Sequence, residues 1–171
     1  MIVDLTAIEG SSMPFELTVP RSDIDIEEEN VRLTSDLRTT GNIVKRSAQI
    51  DVDGLIEGTA EIDCTRCVSP IPRELAVEFL VSFVTPEHFA TDKEREVSAE
   101  DLDTDVLDDE RLDLREVVRE QILLNLPEQV FCKPDCKGLC PKCGADRNLI
   151  DCKCDEEEID PRWAALKDFR S

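Results

Sequence analysis

The chemistry that this sequence concentrates in motifs belongs to its eight cysteines. Six fall between Cys132 and Cys154, as Cys132-x-x-x-Cys136-x-x-x-Cys140-x-x-Cys143 followed by Cys152-x-Cys154. The other two form Cys64-Thr65-Arg66-Cys67. Two thiolates two residues apart can both reach one metal ion from a tight turn. In Cys140-Pro141-Lys142-Cys143-Gly144 the proline pre-sets φ and the glycine accepts a left-handed backbone. Backbone N–H groups of such a turn can point at sulfur and offset the negative charge gathered around the ion. Cys152 and Cys154 can supply the other two corners of a tetrahedron. Four thiolates without histidine suit structural Zn²⁺ and leave no open position for water. Cys64, Cys67, Cys132 and Cys136 remain as a candidate second site that would fasten the tail to the preceding sheet. Spacing alone leaves Cys136 free to trade places with a member of the first set.

Two rival readings use the same residues. Iron–sulfur clusters take similar ligands, but the spacing here differs from the ferredoxin runs. A Cys-x-x-Cys pair can also cycle between thiol and disulfide, and Cys64–Cys67 beside Arg66 is the candidate. That pair falls at a strand end and not at the helix start that lowers a thiol's pKa in redox enzymes. Other chemistry is not evident. There is no P-loop, no dinucleotide glycine fingerprint and no histidine motif. His88 is the one histidine, and its default reading is a solvated loop residue. The expectation is a protein that is not an enzyme.

The elements that must position the cysteines read as α+β. Phe15, Leu17 and Val19 alternate between Pro14 and Pro20, as in a short strand. Ile24 to Asn30 reads as an acidic turn or short helical piece. Residues 31–84 read as an antiparallel meander. It has a turn at Thr39-Thr40-Gly41-Asn42, a tight hairpin at Asp53-Gly54 and a loop at Ser69-Pro70-Ile71-Pro72. Its clearest strand carries Leu75, Val77, Phe79, Val81 and Phe83 on one face. A helix follows, with Asp113 as cap, Glu116 completing a capping box, and Leu114, Val117, Val118, Ile122 and Leu126 at helical spacing before Pro127. A short terminal helix is expected after Asp160-Pro161, with Trp163 as its packing anchor. The fold expected is an antiparallel sheet or partly closed barrel with one main helix and a cysteine-rich, zinc-binding C-terminal tail. The core domain is expected over 1–130, with an acidic connector at 85–111, and the tail over 131–171.

Charge narrows the partners. The chain of 171 residues has 40 acidic and 20 basic residues, a formal net charge of −20. Such a body repels phosphate backbones at long range, and its charge reads either as a solvated, self-repelling surface or as a steering field for a basic partner. Met1 to Gly10 is acidic and too short for a secretory signal, and no run reaches the 18 or so apolar residues of a membrane span. A cytoplasmic protein is expected, with no membrane partner. In a reducing compartment, cysteines serve as ligands more readily than as disulfides.

The order of these motifs resembles the YceD family of large ribosomal RNA subunit accumulation proteins. The resemblance rests on the mid-chain Cys64-x-Arg66-Cys67, the leucine-rich helix ending in Leu126-Pro127, and the Cys136-Lys-Gly-Leu-Cys140-Pro-Lys-Cys143-Gly144 block. Cys152-x-Cys154 and Asp160-Pro161-Arg162 follow. It covers most of residues 30–170. Arg147 departs from it, standing where the family usually has an apolar residue. The resemblance implies a bacterial or organellar protein that acts in the synthesis, processing or stability of large-subunit rRNA. The partner would be a ribosomal RNA precursor or a basic ribosomal protein. A redox-sensitive, zinc-binding chaperone or adaptor is the alternative that the cysteines allow.

Overall fold

The computed structural model describes residues 1–8, 11–46, 49–84, 104–107, 110–154 and 162. His88, most of the acidic connector and the expected terminal helix with Trp163 lie outside them. Among the described residues the strands are β1 (Ile2–Asp4), β2 (Ser12–Val19), β3 (Val31–Leu33), β4 (Leu37–Lys45), β5 (Gln49–Asp63), β6 (Pro70–Val84), β7 (Thr104–Val106) and β8 (Arg111–Asp113). One helix, α1 (Leu114–Asn125), follows.

The centre of the fold is the pair β5 and β6. Each has 15 residues, and they pair antiparallel from Gln49↔Val84 to Asp63↔Pro70. On the far side of β5, β4 pairs with the first part and the short β3 with the last part. The sheet order is β2-β4-β5-β6-β7, with β3 off that path. The sheet is open, not a barrel, and it is not wholly antiparallel, because β7 joins β6 in parallel. β7 and β8 also place strands in the later part of the segment read as a connector. β1 pairs antiparallel with β8 in a small second sheet. Ile24 to Glu28 is not helical: a 3-10 turn at Arg21–Asp23 precedes it and a turn at Glu29–Asn30 follows.

Two expected turns are strand. β4 runs through Thr39–Asn42 and β5 runs through Asp53-Gly54. The chain reverses instead between Arg46 and Gln49, where the Arg46 N–H donates to the Gln49 carbonyl (2.8 Å), and again at residues 64–69. The reason lies in the register. Phe15, Gly41, Gly54 and Phe79 form one row across four strands. A Cβ on Gly41 would lie 2.0 Å from the Asp53 carbonyl oxygen and 2.9 Å from the Phe15 ring. One on Gly54 would lie 2.6 Å from the Thr40 carbonyl oxygen and 3.0 Å from the Phe79 ring. The glycines let two backbones and two rings approach closely, a role that glycine also plays within strands.

The core fills one face of the sheet. Leu37, Ile43, Val52 and Ile56 are fully buried there, against Leu114, Val118 and Ile122 of α1. β1 and β8 add Val3 and Leu112. Asp113 caps α1 by accepting from the Arg115 N–H (3.1 Å), and it also meets the Arg115 guanidinium (2.9 Å) and the Met1 ammonium (3.2 Å). The Arg115 guanidinium holds this carboxyl well below the usual carboxylate range. α1 ends before Pro127, and the chain then returns to the far end of the sheet. There Val130 is buried with Val31, Ala60 and Ile62.

Candidate metal centre

The hairpin from β5 to β6 ends in a turn that carries Cys64 and Cys67. The Cys64 N–H donates to the Ser69 carbonyl (2.8 Å) and the Val68 N–H to the Cys64 carbonyl (2.9 Å). Val68 is left-handed, with φ 59, a conformation that β-branched residues seldom adopt. The tail is stitched to this turn. The Thr65 N–H donates to the Val130 carbonyl (2.8 Å), and the Val130 N–H donates to the Thr65 hydroxyl (2.9 Å). The Arg66 guanidinium lies over the Phe131 ring, 4.3 Å from its centroid, and donates to the Cys136 carbonyl (2.9 Å). These contacts carry Cys132 and Cys136 to the hairpin end.

The result is an inner group of four sulfurs from Cys64, Cys67, Cys132 and Cys136, all within 4.8 Å of one another. Cys64 lies 3.8 Å from Cys136, and Cys67 lies 3.6 Å from Cys132, sulfur to sulfur. A Zn–S distance of about 2.3 Å places the corners of a tetrahedron about 3.8 Å apart. A disulfide needs about 2.05 Å. The spacing therefore fits four sulfurs around one ion. Cys64, Cys67 and Cys136 are buried and Cys132 is exposed.

An outer group follows in the tail. Cys140, Cys143, Cys152 and Cys154 bring their sulfurs within 4.8 Å of one another. The Cys140–Cys143 turn repeats the hairpin-end turn: the Gly144 N–H donates to the Cys140 carbonyl (2.8 Å), and Gly144 is left-handed with φ 71. Cys140 is buried, Cys152 and Cys154 half-buried, and Cys143 exposed.

The electrostatics of both groups are those of crowded thiols. Burial opposes ionisation of Cys64, but N–H groups of Cys132, Cys67 and Arg66 aimed at its sulfur prevail and bring it down to about 6. N–H groups of Cys143 and Lys142 bring Cys140 down to about 6. Although the Cys132 residue is exposed, partial desolvation of its sulfur and the neighbouring sulfurs push it up to about 12, and the Cys143 sulfur pushes Cys154 up to about 12. Once one thiol of a group has ionised, its neighbours resist following. A divalent cation between them removes that conflict by pairing each thiolate with positive charge. Both donor sets fit Zn²⁺, and an ion held by all four thiolates would have no corner left for substrate or water. Arg66, the residue that made Cys64–Cys67 a redox candidate, is turned toward Phe131 and the Cys136 carbonyl. Arg147 gives its backbone N–H to the Gly138 carbonyl (3.0 Å), so its loop packs through the main chain.

Three features of the site have no signal in the sequence. Val68 takes the position that Gly144 holds in the other turn. Thr65 hydrogen-bonds with Val130 across the joint. Asn148, from the outer loop, donates to the Cys136 sulfur (3.4 Å).

The comparisons with known proteins fall on this same region. The family model described as "Large ribosomal RNA subunit accumulation protein YceD" matches residues 52–170, which contain both cysteine groups. The chain belongs to the YceD family. Among relatives, this YceD chain is similar to the uncharacterized protein YlbN of Bacillus subtilis, 30% identical over 169 residues, 97% of this chain and 92% of that one. It is similar to the uncharacterized protein Rv2926c of Mycobacterium tuberculosis, 34% identical over 115 residues, 67% of this chain and 53% of that one. It is also similar to the chloroplastic large ribosomal RNA subunit accumulation protein YCED homolog 1 of Zea mays, 26% identical over 141 residues, 69% of this chain and 48% of that one. The chain spans about half the length of these mycobacterial and plant relatives. No solved structure matches. The family description links this YceD chain to accumulation of large-subunit ribosomal RNA. Among the described residues, no helix is long and apolar enough to cross a membrane.

Proposed function

We propose that this chain is a cytoplasmic, non-catalytic factor for synthesis, processing or stability of large-subunit rRNA, acting by binding and built around two structural zinc ions. One observation carries the reading: all eight cysteines fall into two complete four-sulfur sets. No thiol is left over as a nucleophile, and neither set offers the open metal position that hydrolysis requires. The ions hold the tail against the sheet and so give the factor its shape.

The charge favours a basic protein as the direct partner over bare RNA. The face of the sheet opposite the core carries Glu16, Asp53 and Glu78. These line a shallow cleft of about 840 Å³ over the Gly41–Gly54 crossing. The only cation paired with them among the described residues is Arg38, on Glu16. A lysine- and arginine-rich extension of a ribosomal protein complements this face, whereas an RNA backbone is repelled by it.

Three measurements test the reading. Elemental analysis of reduced, purified protein is expected to give two zinc ions per chain. Crosslinking in cells is expected to recover large-subunit precursors, with a ribosomal protein as the primary attachment. Unchanged large-subunit rRNA levels after deletion of the gene would refute it.

A further inference from the structure

The two cysteine groups are joined by one side chain. Asn148 lies between Cys143 and Cys152, inside the loop that the outer group closes, yet its hydrogen bonds reach the inner group. Its Nδ2 donates to the Cys136 sulfur (3.4 Å), and its Oδ1 accepts from the Lys137 N–H (3.0 Å). Its own backbone N–H and Nδ2 are fixed on Asp146 Oδ1, at 2.8 and 2.7 Å. Asp146 is itself held by a bridge to Leu139, and the adjacent Arg147 N–H reaches the Gly138 carbonyl (3.0 Å). The outer loop is thus clamped onto the segment that leads away from Cys136.

We propose that Asn148 couples the two centres, so that closure of the outer group around its ion tightens the hold of the inner group on its own. This rests on the reading of both groups as zinc sites. An N–H aimed at a thiolate spreads its charge and favours the ligating form, and partners of this kind alter metal affinity by about 10- to 100-fold. Asn148 can serve so only while its loop is closed. With the outer group open, the loop must be ordered at an entropic cost before the amide reaches Cys136. Linkage makes the effect reciprocal: an occupied inner site tightens the outer one by the same factor. The groups also differ in access. Three of the inner cysteines are buried, whereas three of the outer ones are exposed or half-buried. The outer ion is the first to leave, and its departure loosens the joint between tail and sheet. The solvent-facing centre therefore sets how firmly the buried one binds.

The test is metal competition on the full chain. Co²⁺ replaces Zn²⁺, its sulfur charge-transfer band reports each tetrathiolate, and a chelator withdraws the ions. The wild-type chain is expected to release two ions in order, outer before inner. Cys152→Ala, which opens the outer group, is expected to weaken the inner site by about tenfold. Asn148→Ala is expected to weaken both sites by a similar factor while still binding two ions, which also shows that it folds. Asn148→Asp keeps an acceptor for Lys137 but loses the donor to sulfur, and is expected to be at least as weak. In the double variant Cys152→Ala/Asn148→Ala, the inner affinity is expected to match that of either single variant, because both changes remove one interaction. An unchanged inner affinity in Asn148→Ala, or losses that add in the double variant, overturns the coupling while leaving two zinc sites standing. A wild-type chain that binds fewer than two ions overturns the zinc reading, and the coupling with it.

Discussion

Cys64-x-x-Cys67 and Cys140-x-x-Cys143 are two copies of one turn set in different surroundings. In each, the residue after the second cysteine is left-handed and donates its N–H to the carbonyl of the first. In the outer copy that residue is Gly144, and its partners Cys152 and Cys154 follow within the same loop. In the inner copy it is Val68, and the partner sulfurs come from far along the chain: Cys64 meets Cys136 across 72 residues. A local group needs little besides its own loop. A group that closes a long loop removes much more freedom from the unfolded chain, so it depends on the sheet and in turn stabilises it. The inner centre also carries a strain that the outer one avoids by placing glycine at the same left-handed position. A left-handed residue other than glycine costs roughly 1–2 kcal/mol, and Val68 keeps that conformation because the hairpin and the sulfur group hold it on both sides.

The comparison is open to four substitutions. Cys64→Ala removes a fully buried sulfur from the long-range group. It is expected to cost more than about 4 kcal/mol, given the folding free energy that structural zinc supplies, and to leave residues beyond Phe131 sensitive to protease. Urea unfolding with zinc analysis reads both effects, and a tail that stays protected would remove the distinction between the centres. Gly41→Ala should come next, at about 3 kcal/mol, because its Cβ meets the Asp53 carbonyl. As the sheet loosens, the inner ion should leave first while the outer one remains, since the outer ligands need only residues 140–154. Loss of both ions together would show that the outer group is not self-sufficient. Cys152→Ala is expected to lower the stability of the sheet by only about 1.4 kcal/mol, the equivalent of a tenfold coupling. A drop as large as that of Cys64→Ala would make the two centres equals. The smallest effect is a gain. Val68→Gly should stabilise the protein by about 1 kcal/mol with both ions retained. A loss of thermal stability would mean that the valine side chain contributes more than its backbone conformation costs.

The legible parts of this molecule are those set by neighbours in the chain. The alternation at Phe15, Leu17 and Val19 marks β2, and the Asp113 cap with Pro127 bounds α1. The close spacing of Cys140, Cys143, Cys152 and Cys154 marks residues able to meet within one loop. Glycine chemistry misled because the same residue serves opposite ends. Thr39-Thr40-Gly41-Asn42 and Asp53-Gly54 carry every local mark of a turn, and both lie inside strands.

By itself the sequence determined the cysteine pairs, the helix and its ends, the acidic surface and membership of the YceD family, because spacing, capping and charge are properties of nearby residues. Only the tertiary structure decided that Gly41 faces Gly54 between two phenylalanine rings, that β1 pairs with β8, and that Asn148 reaches Cys136. It also decided that the hairpin end meets the tail at Val130. Each of these depends on register between segments distant in the chain, and that register is chosen by the packing of the whole core.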